Sequence, residues 1–162
     1  MLHGQLILHG EDQQQIANLA RELVRNANAK AVFVVDSNGH LMSEAGESAA
    51  IDSTSLASLA AGCVAATGGL AQVIGEDEFP THYHQGQRDH LHISLIGQQI
   101  ILVVIFDDRS SLGLVRLRVK KTSAEIARVL EEIEKKTANE VESGRSPFAE
   151  ITDADIDNLF AD

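Results

Sequence analysis

A chain of 162 residues, 44% apolar and 23% charged, suits one compact domain with length left for a tail, and excludes both a second independent domain and a disordered polymer. The formal charge of -11 opposes bulk attraction to phosphate or anionic lipid, and the lysine pairs Lys120–Lys121 and Lys135–Lys136 are too isolated to form a nucleic-acid patch. One cysteine, Cys63, rules out an intramolecular disulfide, and MLHGQLILHG lacks the basic start and long apolar run of a signal peptide, so the expected compartment is the cytoplasm.

From Glu11 to Asn28, the residues Ile16, Leu19, Ala20, Leu23, Val24 and Ala27 recur at the spacing of one helical face. KAVFVVD then reads as a buried strand, Asp36 to Gly39 as a turn, and HLMSEAG as the second strand of a hairpin. Asp52, Ser53 or Thr54 can cap a second helix running to about Gly75. After Pro80, three strands are expected at roughly 81–86, 89–96 and 99–107. The segment VRLRV alternates as a strand would. A helix from near Ser111 is nevertheless expected, because it places Leu112, Val115, Val119, Ile126, Leu130 and Ile133 on one stripe.

This order predicts an α/β layered domain: a five-stranded, mostly antiparallel sheet between one helix and two helices, followed by a tail helix. It lacks strict βαβ alternation, and no glycine-rich phosphate loop follows a strand.

The second helix is unusual in composition. No charged residue lies between Asp52 and Glu76, and residues 53–75 hold four glycines, three serines, two threonines and six large aliphatics, too little apolar bulk to drive membrane insertion. A helical wheel aligns Leu56, Leu59, Cys63, Leu70 and Ile74 on a face expected to cover the sheet. Ser58, Ala61, Gly62, Ala65, Gly69 and Gln72 form a second, bare face. Exposed to water, its glycines would weaken the helix by about 1 kcal/mol each with no compensating contact. Burial inside one monomeric core would explain it, but so short a chain has little to lay over a helix already covered on one side. Self-association or partner binding is therefore the expectation.

In ITDADIDNLF, Thr152 can cap a short helix bearing Ile156, Leu159 and Phe160 as a stripe. About ten helical residues beyond a Ser/Gly/Pro linker are not stable alone, so the stripe should fold onto the domain itself or dock on a partner.

Catalytic and metal chemistry is weakly signalled. Asp153, Asp155 and Asp157 imitate a calcium loop, but Asn158 stands where its glycine is needed. A three-residue turn centred on Gln87 would set His84 opposite His90 and His82 opposite His92, four imidazoles able to hold a transition metal. A shift of one residue would destroy that pairing, and half-exposed strand histidines are the plainer reading. Cys63 reads as core packing rather than a reactive thiolate. Asp107, Asp108 and Arg109 read as a capped strand-to-helix turn. No catalytic residue, cofactor or metal is expected.

The stretches DSNGHLMSEAG, SLASLAAGCVAATGGLAQVIGEDEF, LVVIFDDRSSLGLVRLRVKK and SPFAEITDADIDNLF resemble the MglB family of the roadblock/dynein light-chain superfamily, bacterial regulators of Ras-like GTPases of the MglA type. The resemblance runs from about Asn26 to Asp162 and implies a roadblock domain over 1–141, a linker over 142–147 and a partner-binding tail over 148–162. It further implies a homodimer formed through the second helix and an edge strand. The small GTPase would sit on the paired helices, touching Ala61, Ala65, Gly68 and Gly69. The tail would reach a separate surface of the GTPase through Phe148, Ile151, Ile156, Leu159 and Phe160. The implied activity is GTPase activation without an arginine finger, by moving the GTPase's own switch and catalytic residues into place. The implied setting is cell polarity and gliding motility, in the cytoplasm with concentration at a cell pole. A scaffold that binds without accelerating hydrolysis is the alternative.

Overall fold

The computed structural model describes Leu8, residues 10–143 and residues 153–160. The chain forms two units, divided within one long helix after Val129. The first contains α1 (Gly10–Asn26), β1 (Ala31–Asp36), β2 (Leu41–Gly46), α2 (Ser53–Val73), β3 (Thr81–His84), β4 (His90–Ile96), β5 (Ile100–Phe106) and the start of α3 (Leu112–Glu142). The second holds the rest of α3 and α4 (Asp153–Phe160).

The five strands lie in the order β2-β1-β5-β4-β3. All four pairings are antiparallel, where the sequence suggested a mostly antiparallel sheet. The neighbours β2–β1, β5–β4 and β4–β3 are consecutive in the chain, whereas β1–β5 is not. The connection from β2 to β3, which carries α2, crosses from one edge of the sheet to the other between strands that run in the same direction. β1 and β5 are apolar almost throughout because both their faces are buried. Phe33, Val35, Ile101 and Val103 face α2, with Ile93 from β4. Alternate positions put Val32, Val34, Leu102 and Val104 on the opposite face.

The β1–β2 turn is built by Asp36, whose Oδ1 accepts from the amides of Asn38 and His40, both at 2.9 Å. Where β2 ends, Gly46 has φ +84°, and a Cβ there would lie 2.5 Å from the carbonyl oxygen of Lys30. That oxygen also accepts from the Glu47 amide at 2.8 Å, so it cannot move without breaking the turn. Gly46→Ala should therefore lower stability by about 2 kcal/mol or more, read as a shift of the urea midpoint.

The segment VRLRV is helical. Val115 and Val119, one turn apart, are buried while Leu117 between them is exposed, the reverse of what a half-buried strand requires. Ile126 extends the buried stripe. In the second unit Leu130 and Ile133 are buried too, and α3 continues through Glu142. On α4, Leu159 and Phe160 are exposed.

Candidate functional site

α2 is sharply bounded. Asp52 caps it by accepting from the Ser55 amide at 3.1 Å and from Ser55 Oγ at 2.7 Å, hydrogen bonds that hold its carboxyl below the usual carboxylate range. At the other end Gly75, with φ +83°, donates to the Gln72 carbonyl and Glu76 donates to that of Ala71, a Schellman closure.

The helix meets the sheet through a face other than the one the wheel suggested. Ala57, Ala60 and Ala71 are the buried residues of α2, with Val64 packed partly against the same core. The large side chains expected on the sheet point away from it: Leu59 is 72% exposed, Leu70 61% and Ile74 67%, and Val73 joins them at 82%. Leu56 and Cys63 lie on the margin, half-buried against the core. The reason is volume. Phe33, Ile93, Ile101 and Val103 already fill the space above the sheet, so the complementary helix face must be small. Bulk is left on the outside, together with the bare flank.

The small residues do not share one environment. Ala65 and Gly69 are exposed, whereas Ala61 and Gly68 are half-buried. Ala61 leans on the β1–β2 turn, its Cβ within 3.4 Å of where a Cβ on Gly39 would stand. Ala65, Gly68 and Gly69 line a groove with Gln72, Phe79 and the rim carboxylates Asp77 and Glu78, about 410 Å³ in volume. A Cβ added at Gly62, Gly68 or Gly69 would meet nothing within 4 Å, so the glycines do not serve packing inside this chain. The outward surface of α2 thus combines apolar bulk, small residues and no charge. Among the described residues it is also the helix long and apolar enough, by length and composition, to cross a membrane, although its alanine face is committed to the sheet.

The histidines are not arranged as a four-ligand ladder. His82 pairs with Ile93 and His84 with Leu91, one residue away from the expected register. That shift turns His82 and His84 toward the α2 side and leaves His90 and His92 on the other face. Tyr83 accounts for it: on the far face its ring stacks on Phe106 with centroids 6.1 Å apart, a larger apolar gain than a histidine would give there. Gly86 lets the connection absorb the extra residue, since a Cβ there would lie 2.2 Å from the Asp89 carbonyl oxygen.

His92 is buried, and burial, followed by the positive charge of Arg116 and the neighbouring His82, pushes its pKa down to about 4. Between the ordinary histidine value near 6.5 and that depressed value, the unfolded chain takes up a proton that the folded chain refuses. Stability is therefore full above about pH 6.5 and falls by up to about 1.4 kcal/mol per pH unit below it. His92→Leu should flatten this acid-side decline in urea denaturation followed from pH 7 to pH 5.

Comparison with known proteins fits this geometry. Residues 15–106 match the model of the Roadblock/LC7 domain. The chain belongs to the Roadblock/LC7 family. Among solved structures, this Roadblock/LC7 chain is similar to MglB of Myxococcus xanthus, with 52% identity over 79% of this chain and 96% of that one, and a TM-score of 0.75. The gliding protein MglB of Thermus thermophilus is 31% identical over 81% and 99% of the two chains, with a TM-score of 0.74. An MglB described with a tetrameric arrangement is 29% identical over 82% and 99%, with a TM-score of 0.74. The comparison with curated proteins gives no match.

In this Roadblock/LC7 chain Arg109 is occupied within its own fold. Its Nε and Nη2 donate to Asp107 at 2.9 Å each, and Nη2 also reaches Glu47 Oε2 at 2.9 Å. These bonds raise its pKa further and hold both carboxylates below their usual range. Arg109 thus ties the β5–α3 turn to the residue after β2. Of the expected tail contacts, Phe148 and Ile151 and the side chain of Ile156 lie outside the described residues, while Leu159 and Phe160 are exposed on α4.

Proposed function

We propose that this protein is a homodimeric regulator of an MglA-type Ras-like small GTPase, which raises GTP hydrolysis by repositioning the GTPase's own switch and catalytic residues. The observation that carries the reading is the outward surface of α2, with Leu59, Leu70, Val73 and Ile74 exposed beside a charge-free flank. A surface of that kind is an interface by composition. The likeness to MglB of Myxococcus xanthus and to the gliding protein of Thermus thermophilus supports a role in polarity and motility, and the tetrameric MglB supports self-association. Leu59, Leu70 and Val73 suit the homodimer seam, with an edge strand of the sheet alongside. Ala61, Ala65, Gly68 and Gly69 suit the GTPase platform, and the tail, through Phe148, Ile151, Ile156, Leu159 and Phe160, suits a second contact on the GTPase. The site of action is the cytoplasm, at a cell pole.

Activation through a preferred GTPase conformation requires no catalytic group from this chain, only tighter binding to the active arrangement than to the resting one. Arg109, held by two carboxylates, fits such a mechanism better than it fits a finger. The test is GTP turnover by an MglA-type GTPase with and without this protein. Acceleration, with no turnover by this chain alone, is the expected result. Tight binding without acceleration would make it a scaffold, and absence of binding would overturn the reading.

A further inference from the structure

The register that separates the histidines brings a different set of donors together. Cys63 from α2 and His82 and His84 from β3 each offer a ligand atom within 4.8 Å of the other two. Cys63 Sγ stands 4.0 Å from His84 Nε2. Two histidines at alternate strand positions facing a helix cysteine make a donor set of one thiolate and two imidazoles, which suits zinc and related borderline metals.

The second observation concerns His82, which is only 9% exposed. Its Nε2 contacts the Phe79 carbonyl at 2.8 Å and Thr67 Oγ1 at 3.4 Å, so Nε2 carries the proton and Nδ1 the lone pair. Nδ1 is buried and has no hydrogen-bond partner. A buried acceptor left so costs about 1–3 kcal/mol, a cost that a bound cation removes. A backbone carbonyl on the other ring nitrogen is also the usual outer support of a metal-binding histidine. Thr67 braces the site from the helix by donating to the Cys63 carbonyl at 2.8 Å. The cavity beside Cys63 and His84 is lined by Leu56, Leu59, Leu91 and Ile93 among others, and none of its lining residues is a lysine or arginine that would compete with a cation.

We propose that Cys63, His82 and His84 form a zinc site that fastens the edge strand β3 to α2. Zinc binds the thiolate, the thiol proton passes to solvent, and three protein ligands leave a fourth position for water. Tetrahedral donors on bonds of about 2.0–2.3 Å stand roughly 3.5 Å apart, so closure needs shifts of about 1 Å, within the reach of side-chain rotation at exposed His84. Because α2 also bears the proposed partner surface, the metal would stiffen the platform from its sheet-side margin.

The test uses the full chain without an affinity tag, purified without chelators, for elemental analysis and for titration with cobalt(II) as a spectroscopic probe. The expected result is one zinc per chain, with a thiolate-to-cobalt charge-transfer band and the visible bands of a tetrahedral centre after exchange. Cys63→Ser should abolish the charge-transfer band. His84→Gln should weaken zinc binding by about 100-fold or more, and it decides the matter if Cys63→Ser misfolds, since His84 is exposed. His90→Gln, on the other face, should leave the metal in place. Absence of the cobalt band in the unaltered chain, or equal zinc affinity in His84→Gln, would overturn the assignment.

Discussion

Ala65→Arg is expected to weaken binding of the proposed GTPase partner by about 100-fold or more while leaving the circular dichroism of the protein unchanged. Ala65 is exposed, and arginine is nearly as good a helix former as alanine, so the fold has no reason to resist the change. At an interface the same guanidinium must lose its water without finding a partner. Asp77 and Glu78, the carboxylates that line the groove with Ala65, come from the segment after α2 rather than from the helix itself. Leaving a charge buried and unpaired costs several kcal/mol, and about 2.7 kcal/mol already corresponds to a hundredfold in affinity. Gly68→Ala with Gly69→Ala is the informative companion. A methyl at either position meets nothing within 4 Å, so each substitution should stabilise the isolated helix by roughly 1 kcal/mol. If the partner's backbone approaches closely there, the variant should melt higher and bind worse. Calorimetric titration against the GTPase, beside thermal unfolding, separates the two effects. Undiminished binding by Ala65→Arg would remove the platform from this flank of α2.

The fold was legible from periodicity because each element solves a simple burial problem. β1 and β5 are apolar on both faces since layers cover both, and α3 could be told from a strand because its stripe runs on to Ile126. The site was legible only in part. That α2 lacked charge was plain, but which side met the sheet was not, because a wheel ranks side chains by size while packing ranks them by complementarity. Ala57, Ala60, Val64 and Ala71 share a helical face, and weighing them against a sheet already rich in Phe, Ile and Val would have found the right side. The histidine register failed for a related reason. It hinged on one residue in the β3–β4 connection, and the deciding contact, Tyr83 on Phe106, spans strands that the sequence alone does not place side by side.

The second large effect is expected at Phe33. Its side chain is fully buried between β1 and α2, among Ala57, Ala60, Ile93, Ile101 and Val103. Truncation to alanine in such a core costs about 3–5 kcal/mol, and the upper part of that range applies where neighbours cannot collapse into the void. Here the fully buried residues on the helix side are alanines, whose methyl groups cannot reach inward, and the neighbouring strands are fixed by antiparallel ladders on both edges of β1. Since small domains hold only about 5–15 kcal/mol in total, Phe33→Ala should shift the urea midpoint severely, whereas Phe33→Leu, which keeps most of the volume, should cost far less. The loss should not stop at stability. α2 meets this core chiefly through the methyl groups of Ala57 and Ala60, so a cavity beneath it loosens the helix that carries the proposed partner surface, and binding of the proposed GTPase partner should fall in Phe33→Ala even where the chain remains folded. A loss of under about 1 kcal/mol would mean that α2 can settle onto the sheet without Phe33. The alanine face would then be a sliding contact, and the outward position of Leu59 and Leu70 would have to be set by something other than the core beneath them.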